Sequence, residues 1–176
     1  MAETVSPAAH EERRQVDWRA GVYAGLIAGL VFMMLEMGMV WLFMGESPWA
    51  PPRMIAAMVL GEGVLPMPDK PATFDPGIVL TAMIIHFVLA AIYGLIGAAI
   101  VANRMGYAGA IGLGALCGLA IYLINFYPLA AALFPWFAMA RNWISIFAHV
   151  MFGALAGAAY VGLRSTAASA QSRSRD

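Results

Sequence analysis

The sequence predicts an all-α protein: a four-helix transmembrane bundle of two parallel two-helix repeats, with a short surface helix in its first outer loop. Three observations predict it. Hydrophobic residues make up 62% of the 176 residues and charged residues 11%, against about 25% charged in soluble domains. Four apolar runs, about 20–44, 78–102, 108–129 and 143–163, are each long enough to cross a bilayer. Small residues recur every fourth position within those runs, as membrane helices need for close approach.

Each element has its own local reason. Residues 1–17 carry Glu3, Glu11, Glu12, Arg13, Arg14 and Asp17, a polar cytoplasmic tail rather than an Arg-rich, acid-poor targeting peptide. Run 1 is longer than a signal-peptide core and is expected to be retained. In the first outer segment, 45–77, Ser47 and Pro48 precede PPRMIAAMVLGEG. Proline suits a first helical turn, so 51–60 reads as a short helix on the membrane face or over the bundle mouth. Pro66, Pro68 and Pro71 then force an extended passage. Asp75-Pro76 reads as an N-cap with proline at the first helical position, opening run 2. No run shows a break. The stretch 165–176, STAASAQSRSRD, reads as a disordered tail.

Sidedness follows from the basic residues. With four spans, Arg13, Arg14, Arg19, Arg104, Arg164, Arg173 and Arg175 share one side, and Arg53, Lys70 and Arg141 the other. The positive-inside bias then puts both termini in the cytoplasm. Trp18 marks the inner boundary, and Trp41, Trp49, Trp136 and Trp143 the outer one. The zero net charge gives no reason to expect a nucleic-acid partner. Cys117 is the only cysteine, so no intrachain disulfide can form.

The repeat is read from matching offsets. Gly25, Gly29 and Glu36 in run 1 match Gly114, Gly118 and Asn125 in run 3; His86, Ala91 and Gly94 in run 2 match His149, Ala154 and Gly157 in run 4. Each half has a Pro-Trp pair, Pro48-Trp49 and Pro135-Trp136, followed by Arg53 or Arg141. Parallel two-span repeats are related by an axis along the membrane normal.

Four polar residues inside the runs fall at one depth: Glu36, His86, Asn125 and His149. An ionisable group in hydrocarbon costs roughly 2.5–3.5 kcal/mol or more, which makes such residues functional suspects. Glu36 and Asn125 stand seven residues past Gly29 and Gly118; His86 stands four before Ala90, and His149 four before Gly153. Residues at these separations share a helix face. All four side chains are expected inside the bundle, above a glycine-packed floor.

Three functions compete for that cluster. In the first, it binds a cofactor. His86 and His149 can be axial ligands of haem b, with Arg53 and Arg141 pairing its propionates. Alternatively His86, His149 and Glu36 can hold a transition-metal ion, with Met33, Met37 and Met83 suited to copper(I). In the second, the polar side chains only glue helices together, at roughly 0.6 kcal/mol each. In the third, they relay protons in a minimal transporter or proton-coupled permease. The 13 methionines serve mainly as adaptable apolar filling. Tyr93 and Tyr127 read as packing residues with a hydroxyl partner rather than redox groups. No nucleophile triad, P-loop or dinucleotide fingerprint occurs, so no motif supports an enzyme. Beyond the lipid bilayer, a homo-oligomer or a larger membrane complex is the partner expected.

The segments ESPWAPPRMIA, IIHFVLAAIYG, INFYP and FPWFAMARNWISIFAHVMFG resemble a group of small uncharacterised bacterial inner-membrane proteins, some labelled sodium:proline symporter. The resemblance spans about residues 18–163. It implies a bacterial four-span protein of the inner membrane and brings no assigned catalytic or binding residues. Proteins of the symporter family proper are several times longer.

Overall fold

A computed structural model describes residues 16–67, 69–101 and 105–173. The tail residues 1–15, with Arg13 and Arg14, and also Pro68, Arg104 and Arg175, lie outside the described residues. Among the described residues, four helical segments are long and apolar enough to cross a membrane: Trp18–Met44, Pro76–Val101, Tyr107–Leu133 and Trp143–Arg164, here spans 1 to 4. Span 1 opens with α1 (Trp18–Met39), and a further helix, α2 (Ala50–Leu60), stands between spans 1 and 2.

Side chains fix where the spans begin. Asp17 caps span 1, its carboxylate accepting from the Ala20 amide at 2.9 Å. Asp75 caps span 2, accepting from the Ile78 amide at 3.0 Å ahead of Pro76, as the sequence predicts. Asn142 caps span 4, accepting from the Ile144 and Ser145 amides at 2.9 and 3.1 Å. Each cap satisfies amides with no intrahelical partner. Gly45 at φ +66° and Gly61 at φ +82° end span 1 and α2 in left-handed conformations that a Cβ disfavours.

Span 1 packs on spans 2 and 4, and span 3 packs on span 4. Spans 2 and 3 scarcely touch. The bundle is therefore a ring with one open seam. The glycine ridges make two of the three closed interfaces, between spans 1 and 2 and between spans 3 and 4. A Cβ on Gly25 would strike the Ala90 carbonyl, and one on Gly94 the Gly21 carbonyl. Between spans 3 and 4, Gly114 meets Gly153, Gly118 meets the His149 carbonyl, and Gly157 meets the Ala110 carbonyl. These backbones touch directly, as the sequence predicts. The ridges lie toward the end where the Asp17 amide donates to the Tyr160 hydroxyl at 3.2 Å.

Two details depart from the sequence reading. Span 3 continues to Leu133, beyond position 129, through a π turn at Asn125–Leu129 that contains Pro128. Proline has no N–H, and a wider turn lets the helix continue past it. Span 1 also ends in a π turn, Val40–Met44. Two runs that read as unbroken thus carry irregular turns. The last helix, Trp143–Arg173, runs into 165–176, the stretch read as a disordered tail. Its Ala-rich composition favours helix propagation.

Candidate functional site

The four predicted residues meet. Glu36, His86, Asn125 and His149 all line one cavity of about 720 Å³. Glu36 is 7% exposed, His86 9% and His149 8%, while Asn125 is half-buried. The cavity runs from this cluster to the loop at Glu46, Ser47 and Lys70. Phe32, Phe126 and Phe152 add aromatic wall, and Met44, Met54 and Met58 line the part nearer the loop. About 300–1,000 Å³ is the usual size of a small-molecule site, and mostly apolar walls with a few polar groups are its usual lining.

Each imidazole is held by one nitrogen. His86 Nε2 lies 2.8 Å from the Gly29 carbonyl on span 1. His149 Nδ1 lies 2.7 Å from the Ser145 carbonyl one turn earlier on its own helix. A carbonyl only accepts, so each nitrogen donates, and the uncharged ring keeps a lone pair on its other nitrogen. Neither His86 Nδ1 nor His149 Nε2 has a hydrogen-bond partner among the described residues, and both residues line the cavity. Phe32 packs against both rings, stacked on His86 at 5.4 Å and edge-on to His149 at 4.8 Å. Tyr122 and Phe126 add edge contacts to His149 at 5.6 and 5.4 Å. Both imidazoles are thus fixed in orientation by a hydrogen bond and by aromatic contacts.

Glu36 joins the cluster through Ser145, whose hydroxyl donates to Oε1 at 2.6 Å. Its other oxygen, Oε2, is buried without a partner among the described residues. Across the seam, the Tyr93 hydroxyl donates to Asn125 Oδ1 at 2.9 Å, bridging spans 2 and 3. Sequence reasoning missed Ser145 and Phe32 as members of the site. Ser145 stands one helical turn before His149, and that i, i+4 relation to an intramembrane histidine was the available signal.

The arginines and methionines named for cofactor chemistry stand elsewhere. Arg53 donates to the Thr73 carbonyl at 3.2 and 3.0 Å and to the Val64 carbonyl at 3.2 Å, tying α2 to the loop that follows it. Arg141 donates to the Phe126 carbonyl at 2.8 Å and lies over the Tyr127 ring at 4.7 Å, bracing the π turn of span 3. Neither lines the cavity. Met33, Met37 and Met83 do not line it either. Among the described residues, no three His, Cys, Asp or Glu side chains stand together as a metal-binding group. The fit to the proposed groups is therefore partial: two imidazole lone pairs suit a haem iron, but the propionate partners and a third ligand for a bare ion are not on the cavity wall.

α2 lines one side of the cavity. Ala50, Met54 and Met58 turn toward the cavity, and the Trp136 indole donates to the Met54 carbonyl at 3.0 Å, joining α2 to the segment before span 4. Trp49 packs on Phe74 at 4.9 Å at the other end of the same loop. No protein-family model matches the chain, and no curated protein or solved structure matches it.

Proposed function

We propose that this is a bacterial inner-membrane binding protein that holds one small molecule or cofactor in the outer half of a four-span bundle. Both termini face the cytoplasm in this reading, supported by the seven-to-three division of basic residues between the two sides. α2 lies at the outer surface, over the cavity mouth. The bundle is built from two parallel repeats. Supporting this, Gly29 meets His86 and Ala90 while Gly118 meets His149 and Gly153, so positions with equivalent offsets make equivalent contacts. The seam between spans 2 and 3 is where the two halves differ.

The observation that carries the binding reading is the pair of imidazoles. Each spends one N–H on a backbone carbonyl and keeps a lone pair at the wall of the same cavity. Metal-bound histidines are oriented by the same kind of N–H bond on their far side. Haem b is the cofactor this pair serves best, with His86 and His149 as the residues that would hold it; it would supply redox or gas-binding chemistry at the iron. A transition-metal ion would draw on His86, His149 and Glu36 and needs further ligands from solvent or substrate. A complex with other membrane subunits, or with a second copy, suits a protein whose task is to hold a bound group.

The test is an absorption spectrum and elemental analysis of the protein purified from a haem-replete host. A Soret band, or stoichiometric metal, that disappears in His149→Ala supports a resident cofactor. No chromophore, no metal and no co-purifying small molecule would reject the binding reading. The touching glycine backbones close the interfaces between spans 1 and 2 and between spans 3 and 4 in that half, which argues against a minimal transporter.

A further inference from the structure

The polarity of the cavity's buried end points to what it recognises. Five side chains carry donors at that end, and four of them spend theirs on protein acceptors. His86 Nε2–H donates to the Gly29 carbonyl and His149 Nδ1–H to the Ser145 carbonyl. The Ser145 hydroxyl donates to Glu36, and the Tyr93 hydroxyl to Asn125 Oδ1. What remains facing the cavity is mainly acceptor capacity: one lone pair on each imidazole and the oxygen of Tyr93, since Glu36 Oε2 is sealed and Oε1 accepts from Ser145. The Asn125 amide N–H₂ is the one donor left in this cluster. A carboxylate, phosphate or carbonyl head would meet the two imidazole lone pairs there. A hydroxyl head would meet partners.

A second observation concerns the route. Spans 2 and 3 scarcely touch. Leu89 and Tyr93 from one, and Ile121 and Leu129 from the other, line the cavity and are half-buried or exposed. The cavity is therefore bordered by both spans of the seam, which the Tyr93–Asn125 hydrogen bond crosses at one point. A molecule dissolved in the bilayer would reach the polar end through that seam without crossing water.

Resting on the binding reading above, we infer that the occupant is a lipid-borne molecule whose polar head donates hydrogen bonds, a long-chain hydroquinone being the simplest case. Its hydroxyls donate to the free imidazole nitrogens. Its ring lies against the phenylalanines, and its tail leaves through the seam between spans 2 and 3.

The experiment compares three probes on the full-length protein in lipid nanodiscs: decylhydroquinone, its O,O-dimethyl ether, and the corresponding quinone. The three share ring and tail and differ in hydrogen-bond donors. The hydroquinone is expected to bind at least about tenfold more tightly than either of the others, from two donor bonds at roughly 1 kcal/mol each. In His86→Leu and His149→Leu, measured with the same three probes, that advantage shrinks. Equal affinities in the wild-type protein, or tighter binding of the quinone or the ether, overturn the inference, as does an advantage unchanged in both variants. Haemin is the fourth probe. A shifted Soret band without discrimination among the first three leaves the binding reading standing and removes this one. No binding of any probe removes both.

Discussion

At the residue scale, the site depends on a relay of short hydrogen bonds in a place where water is scarce. Ser145 is fully buried, and its hydroxyl is the sole partner of the Glu36 carboxyl among the described residues. Ser145→Ala leaves that buried group with no donor at all. The expected loss is about 1–3 kcal/mol, read as a lower midpoint in thermal unfolding of the detergent-solubilised protein. A midpoint equal to wild type would show that Glu36 finds another partner. The two histidines are separable by a double-mutant cycle. If they hold one ligand, His86→Ala and His149→Ala each abolish binding, and the double variant loses nothing further. If they are independent helix glue, their modest stability costs add. Additive small losses in a protein that binds nothing would remove the preferred function.

At the scale of elements, glycine decides how closely helices approach. The Cβ of any residue at position 29 would sit 2.7 Å from the Ala90 Cβ, and at position 118 it would strike the His149 backbone. Gly29→Leu and Gly118→Leu should therefore destabilise by roughly 1–3 kcal/mol through overpacking. Gly97 is also in a span but has open space around its Cβ position. Gly97→Leu is the control and should leave stability nearly unchanged. Equal behaviour of all three variants would refute the ridge account. These interfaces were legible in the sequence because a four-residue spacing of small residues has one helical meaning. The π turn at Asn125–Leu129 was not legible. Pro128 near the end of an apolar run reads equally well as the end of a helix or as a wide turn within it, and only packing against Arg141 and Tyr122 distinguishes the two.

At the scale of the whole molecule, the sequence placed Glu36, His86, Asn125 and His149 in one interior, and the cavity contains all four. Depth and helical phase were sufficient for that, since each residue stands at a fixed separation from a glycine or alanine on the packed face. Phase does not say which helices are neighbours. The open seam between spans 2 and 3 is a property of packing, and it was not foreseen. Nor were the posts of Arg53 and Arg141, whose guanidinium groups serve loop and helix-end carbonyls instead of the cavity. Orientation is open to direct measurement. Fluorescent protein fused to the C-terminus should fluoresce in bacterial cells, because both ends are assigned to the cytoplasm, whereas a dark fusion whose alkaline-phosphatase counterpart is active would invert the topology.

The central claim is that the outer-half cavity holds one small molecule through its histidine pair. Native mass spectrometry of the protein released from its own membranes tests it most directly. The account predicts a bound species at one per chain, present in the wild-type protein and in Gly97→Leu, and lost in His149→Leu. A wild-type protein that flies without ligand, and that takes up neither haemin nor decylhydroquinone when either is added, would contradict it.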